Sequence, residues 1–234
     1  MKTLYIDCSN GISGDMLGSA LKELAGLETD QADEAQEQAE ESHEHFHRSY
    51  AEVKKIIGDS DKSQGAKDIA LSIYEVIAKA EARVHEESLE SLHFHEVGRD
   101  RAIANALEIG ETLSRSGFAR GEILAGNAKI VVSPICDGTG FVDCAHGRIP
   151  VPVPAVRAMM EECGRQYPNF EFKQLEEVET EMVTPSGLAA LIGIGASPAP
   201  GGMMFMEGQI TGAVEVNGTR DTGRGGLRAY LIEK

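Results

Sequence analysis

A basic surface is what this chain most plainly lacks: 22 lysines and arginines stand against 38 acidic residues, a net charge of −16 at pH 7 over 234 residues. That balance repels polyanions, so nucleic acid and anionic membrane surfaces are excluded as partners over most of the molecule, although much of the excess is ordinary solvated charge. Long apolar runs are missing as well. The run that opens the chain is broken by Asp7 before a signal-peptide core is complete, so no secretory signal is expected. The most apolar later stretch, residues 188–196, is interrupted by glycine and falls well short of the roughly 20 residues that cross a bilayer. A cytoplasmic protein is expected. Cys8, Cys136, Cys144 and Cys163 form no C-x-x-C pair, so reduced thiols are expected rather than a disulfide scaffold. There is also no P-loop lysine, no dinucleotide-binding glycine fingerprint and no internal repeat.

What is present is length enough for a sizeable core and a change of character along the chain. Before Gly117 the patterns are mainly helical. A helix is expected from Asp15, which can cap it, to about residue 25; others are expected over 50–57, ended by Gly58, over 66–86 and over 102–113. In the third of these, Ile69, Ile73, Val76, Ile77, Ala80 and Val84 recur at helical spacing and form one apolar stripe. Residues 4–6 read as a buried strand. After Gly121 strand composition takes over, at 129–132 and 139–142 around a turn at 134–138, and again at 213–216 and 227–232 around a glycine-rich loop. Pro150, Pro152 and Pro154 deny a strand ladder alternate donors, so that segment is an edge or a polyproline-like loop, and Pro154 can open a helix. The expected fold is α/β: one domain over 1–234, a mixed sheet flanked by helices, helix-rich in its first half and strand-rich in its second. Residues 28–48 stand apart as an acidic, histidine-rich flexible insertion, with seven acidic and no basic residues over 28–42.

Five stretches carry candidate chemistry. In L-H-F-H-E-V-G-R-D, residues 92–100, extended backbone would project His93 and His95 to one face and Phe94 to the other, with Glu96 beside them. On a helix the two histidines would lie roughly 200° apart, so a metal or proton-transfer pair requires a strand. The alternative is one hydrogen-bonded core histidine and one exposed. A second alternating cluster, His43, His45 and His47, ends the acidic insertion, and neutral imidazole suits nickel, zinc and copper; a solvated loop with adventitious affinity is the other reading. His146 sits before the proline-rich loop. The turn D-C-S-N-G-I-S-G-D, from Asp7 to Asp15, joins strand to helix; Gly11, Ser13 and Gly14 can bring backbone amides to an anion, Asp7 and Asp15 can hold a cation, and a plain capped turn explains the same residues. T-P-S-G at 184–187 repeats the choice: Thr184 and Ser186 can face a phosphate, or Thr184 is an ordinary helix cap.

G-I-S-G-D-M at 11–16, H-F-H-E-V-G at 93–98, His146-Gly147 followed by P-V-P-V-P at 150–154, and T-P-S-G at 184–187 occur in the order of one family. The chain resembles the N-terminal domain of the nickel-insertion proteins of lactate racemase cofactor synthesis, the LarC family. Histidine followed by Arg48, Ser49 and Tyr50 also looks like that family's histidine-rich segment. The resemblance implies a lyase-type chelatase that inserts nickel into a pyridinium bisthiocarboxylate mononucleotide, with nickel–sulfur and nickel–carbon bonds formed at the expense of CTP. It implies metal roles for His93, His95, His43, His45, His47 and His146. Glu96, Asp7 and Asp15 would be catalytic, and Gly11, Ser13, Gly14, Thr184 and Ser186 would hold the precursor. CTP with a divalent cation would enter only through the family's C-terminal domain, expected as a separate partner chain, and an oligomer is compatible with the sequence. Where the family carries aspartates three and seven residues after the H-E-V-G glycine, this chain has Arg101 and Asn105. A guanidinium repels the ion that a carboxylate attracts, so a divalent cation is expected to bind weakly there. The rival reading is a non-catalytic metal-binding or scaffold protein that keeps the fold.

Overall fold

The computed structural model describes residues 1–27, 48–94, 96–144, 147–199 and 202–234. Strand β1 (Lys2–Asp7) feeds helix α1 (Gly14–Leu24), and β2 (Arg48–Ser49) leads into α2 (Tyr50–Asp59) and the long α3 (Gln64–His85). β3 (His93–Phe94), α4 (Asp100–Leu113) and the short α5 (Arg120–Leu124) follow, then β4 (Ala128–Val132), β5 (Ile135–Asp137), β6 (Phe141–Cys144) and β7 (Gly147–Pro150). The chain continues through α6 (Pro154–Glu162), β8 (Phe172–Gln174), α7 (Pro185–Gly193), β9 (Ser197–Pro198), β10 (Gln209–Val216) and β11 (Leu227–Glu233). Among the described residues eight of the eleven strands follow Gly117, the division the composition implies.

A five-stranded sheet in the order β10-β11-β1-β4-β9 is the spine. β10, β11 and β1 are antiparallel, whereas β1, β4 and β9 run parallel, which obliges the chain to cross over through helices between them. Side chains alternate across the sheet: Leu4 and Ile6 join the main core with Ile130, Val132 and Ala229, while Tyr5, Val131 and Ile232 form a smaller cluster on the other side with Ala199. The main core is built by α1, α3, α4 and α7. Ile69, Ile73, Val76, Ile77 and Ala80 of the expected stripe are buried, each of the larger ones contributing about 1.5–3 kcal/mol; Val84, at 36% exposure, is the exception.

Four local expectations need correction. Ser13, not Asp15, caps α1: its Oγ accepts from the Met16 amide at 3.1 Å, and Asp15 sits in the first turn, where a negative charge still favours the helix. Gly58 lies inside α2, which ends at Asp59. Residues 135–137, expected in a turn, are β5, because a strand more than thirty residues away in sequence, β8, pairs with it in parallel. The strand expected at 139–142 is shifted to β6, whose hairpin partner β7 takes up Pro150 at its end. Pro154 opens α6 as expected.

Candidate functional site

The H-F-H-E-V-G stretch is anchored from behind by aromatics and from the side by an arginine. β2 and β3 pair antiparallel, Arg48 opposite Phe94 and Ser49 opposite His93. Phe94 is buried, with the Tyr50 and Tyr74 rings each edge-on at 5.9 Å, and Tyr74 donates its hydroxyl hydrogen to the Val97 carbonyl at 2.7 Å. Arg48 Nη1 donates to the Gly98 carbonyl at 2.9 Å and pairs with Asp100 at 2.6 Å. A Cβ at Gly98 would lie 2.9 Å from the Phe94 Cβ and 3.3 Å from the Arg48 Cβ, so only glycine lets the ladder and the turn close on each other. His93 is exposed, and its Nδ1–H donates to the Ser91 carbonyl at 2.8 Å. That bond selects the tautomer whose Nε2 lone pair faces outward, the arrangement in which a carbonyl behind the ring orients a metal-binding histidine. Glu96 opens a 3-10 turn, Glu96–Gly98. His95, His43, His45, His47 and His146 lie outside the described residues.

Beyond this turn the same stretch supplies Val97 and Arg99 to the wall of a cavity of about 700 Å³. The two turns singled out in the sequence meet here. Ile12 donates to the Met182 carbonyl at 2.8 Å, Thr184 donates back to Ile12 at 3.0 Å, and the Gly14 amide donates to Ser186 Oγ at 3.3 Å. Thr184 caps α7, accepting from the Gly187 amide at 3.2 Å, and its hydroxyl lies 3.1 Å from that of Ser186. A Cβ at Gly187 would approach the Ile12 carbonyl oxygen to 2.5 Å, which explains the last residue of T-P-S-G. Gly14, Asp15, Thr184 and Ser186 line the cavity, while Gly11, at φ +88°, and Ser13 support it from behind. Apolar wall comes from Ile73, Ile77 and Ile109 on one side and from Val142 and Ile149 of the β6–β7 hairpin on another.

Charge in the cavity is paired. Asp15 accepts from Asn105 Nδ2 at 3.2 Å and lies 3.8 Å from Arg101 Nη2, so the two residues that stand in place of carboxylates hold a carboxylate instead. Glu181, buried, pairs with Arg220 from the loop between β10 and β11. Glu81 and His85, one turn apart on α3, lie 3.4 Å from each other. Behind the wall, Asp137 Oδ1 accepts the amides of Gly138, Met182 and Val183, which sets the backbone carrying Glu181; its Oδ2 is buried with no partner among the described residues. Burial pushes its carboxyl above the ordinary aspartate value despite these donors. Asp7 ends β1, paired with Arg228 at 3.0 Å, and is not among the cavity residues. Sequence reasoning did not single out Glu81, His85, Arg99, Glu181 or Arg220, all of which line the cavity. The Glu81–His85 spacing was readable as a helical pair; the meeting of Glu181 with Arg220 was not. Among the described residues no three histidine, cysteine or acidic side chains are clustered closely enough to hold a metal, and no helix is long and apolar enough to cross a membrane.

A family model described as nickel insertion protein matches residues 28–224. A pyridinium-3,5-bisthiocarboxylic acid mononucleotide nickel insertion protein of Acetivibrio thermocellus is 36% identical over 99% of this chain and 60% of its own length. Proteins of the same name from Lactiplantibacillus plantarum and Desulfitobacterium hafniense are 33% and 34% identical, over 100% and 81% of the chain and 62% and 48% of their own lengths. The chain thus spans about half to three-fifths of the length of these relatives. No solved structure matches it significantly.

Proposed function

The chain belongs to the nickel insertion protein family, and from that premise we propose that it delivers nickel to a pyridinium bisthiocarboxylate mononucleotide bound in the cavity, a chelatase step in lactate racemase cofactor synthesis. The observation that carries this reading is the continuity of residues 93–99: His93 presents an outward Nε2 at one end, and Val97 and Arg99 form cavity wall at the other. Nickel, as substrate, would be collected by His43, His45 and His47 and held by His93 with His95 and His146. Arg48, one peptide bond after His47, pairs with Phe94, so the two histidine-bearing segments are joined at the β2–β3 ladder. Imidazole releases nickel readily to sulfur, and the thiocarboxylates of the precursor are the softer acceptors. In this proposal Glu96 orients a histidine or takes a proton, Asp7 and Asp15 place charge at either end of the glycine turn, and Gly14, Thr184 and Ser186 face the phosphate, with Gly11 and Ser13 shaping the turn behind them. CTP with its divalent cation is assigned to the family's C-terminal domain, supplied as a separate chain.

A calorimetric nickel titration of the tag-free chain tests the reading. Binding should survive His43→Ala, His45→Ala, His47→Ala and fall at least tenfold in His93→Ala, His95→Ala, since one imidazole ligand is worth more than the roughly 1.4 kcal/mol of a tenfold change. Loss confined to the first triple variant refutes it. One observation favours a non-catalytic metal-binding role instead: Arg101 and Asn105 already occupy Asp15. That role predicts nickel binding with no insertion after CTP and the C-terminal domain are added.

A further inference from the structure

Arg220 and Glu181 form an ion pair in the cavity wall that the surrounding loop does not need. The loop 217–226 is fixed without it: Arg224 pairs with Glu177 at 3.1 Å, Asn10 Nδ2 donates to the Gly226 carbonyl at 3.2 Å, and the Gly226 amide donates to Glu215 Oε1 at 3.1 Å. The pair is also poorly suited to stabilising the fold. Glu181 is 7% exposed at its side chain, so it loses most of its hydration, and a buried ion pair seldom recovers that cost in net stability. Its backbone is nonetheless held in place by the Asp137 carboxylate through the amides of Met182 and Val183. The guanidinium is different: its side chain is 42% exposed, it reaches in from a loop, and it borders the same space as Arg99, Arg101, Thr184 and Ser186. In a chain of net charge −16, an anion gains little from the surface at large and depends on such local cations.

We propose that Arg220 is the residue that recognises an anionic group of the cavity's ligand, a phosphate or carboxylate on a pyridinium nucleotide, and that Glu181 is the internal counter-ion which that group displaces. The planar guanidinium fork binds two oxygens of such a group at once, which an ammonium does not. Glu181 then acts as a filter: a neutral ligand cannot compete for Arg220 and leaves the ion pair intact. The inference rests on the mononucleotide-binding part of the proposed function but not on nickel.

Its test is calorimetry in metal-free buffer with the full chain and three probes: the mononucleotide of pyridinium-3-carboxylic acid, its dephosphorylated nucleoside, and the 3-carboxamide mononucleotide. The first should bind; losing either the phosphate or the carboxylate, whichever Arg220 reads, should weaken binding about tenfold, the scale of a charge-assisted bidentate contact. The variants should move in opposite directions. Arg220→Ala should weaken binding about tenfold, Arg220→Lys less, and the nearly isosteric Glu181→Gln should tighten it several-fold by removing the competing charge. If Arg220 is only a brace, both variants weaken binding together or neither changes it. That outcome, equal binding of all three probes, or no binding at millimolar concentration overturns the inference. Opposite shifts in a chain that binds no nickel would leave the inference standing and remove the nickel reading alone.

Discussion

Replacing Arg101 and Asn105 by aspartate should turn a self-neutralised corner of the cavity into a divalent-cation site. Positions 101 and 105 lie one turn apart on α4 and face Asp15 on α1, and aspartate is isosteric with Asn105, whose Oδ1 sits against Gly18 with no room for a longer side chain. In the parent the Arg101–Asp15 contact at 3.8 Å is worth about 1 kcal/mol at the dielectric of water, and less after discounting for the 38% and 62% exposure of the two side chains. The Asn105–Asp15 hydrogen bond adds about 1 kcal/mol. Removing both, and setting three carboxylates against one another, should cost about 2 kcal/mol, or a fall in Tm of about 4–8 °C for a chain of this size. Metal should reverse it. With 1 mM Mg²⁺ or Ni²⁺ and a Kd on the order of 10 µM, mass action returns about 2.7 kcal/mol, enough to lift the variant about 5–10 °C. Thermal unfolding would be followed with and without metal in a background carrying His43→Ala, His45→Ala, His47→Ala, His93→Ala, His95→Ala and His146→Ala, so that no candidate imidazole ligand adds to the metal-dependent rise. A double variant with the parent's Tm and no metal-dependent rise would refute the claim that these three side chains converge.

Gly187→Ala should place a methyl group against the Ile12 carbonyl and Ser13 Cα, at 2.5 and 2.9 Å, and destabilise the protein by about 1–3 kcal/mol as the two turns are forced apart. Urea unfolding reads the loss, and mononucleotide affinity should fall with it. Phe94→Ala removes a fully buried ring from between Tyr50 and Tyr74 and should cost about 3–5 kcal/mol; nickel affinity should drop with the β2–β3 ladder, so an unchanged titration would detach His93 from that packing. Asp137 gives a pH signature. Its folded-state pKa is raised by burial, so its contribution to stability is fully present below its unfolded pKa, near 4, and is lost as pH rises through the folded value. Asp137→Asn should therefore flatten the dependence of urea-unfolding free energy on pH from about 4 upward, and a slope identical to the parent's would contradict the assignment.

Local patterns were enough to identify most of the elements. The stripe from Ile69 to Ala80 announces α3 because a helix repeats every 3.6 residues, Thr184 and Pro185 announce the start of α7 because first-turn amides need a cap, and Phe94 turns inward while His93 turns outward because a strand alternates. β5 escaped notice because its ladder partner, β8, is remote in sequence and three residues carry too weak a pattern of their own. Two glycines of the motifs that place the chain in its family have a local reason: a Cβ at Gly98 would crowd the Cβ atoms of Phe94 and Arg48, and one at Gly187 would meet the backbone of Ile12 and Ser13.

By itself, then, the sequence determined the α/β class, the family and the two glycine-bearing turns that line the cavity, since each depends on neighbours within a few residues. Which of these stretches meet was decided only by tertiary structure. Parallel pairing of β1 with β4 and the bridge from Ile12 to Val183 bring residues 14 and 186 into one wall, and the β10–β11 loop delivers Arg220 to Glu181. The partners of Asp15 are an arginine and an amide from another helix, and that contact turns a candidate cation ligand into half of an ion pair. A carboxylate's chemistry is set by the charge opposite it, and that charge arrives through folding, from residues far away in the chain.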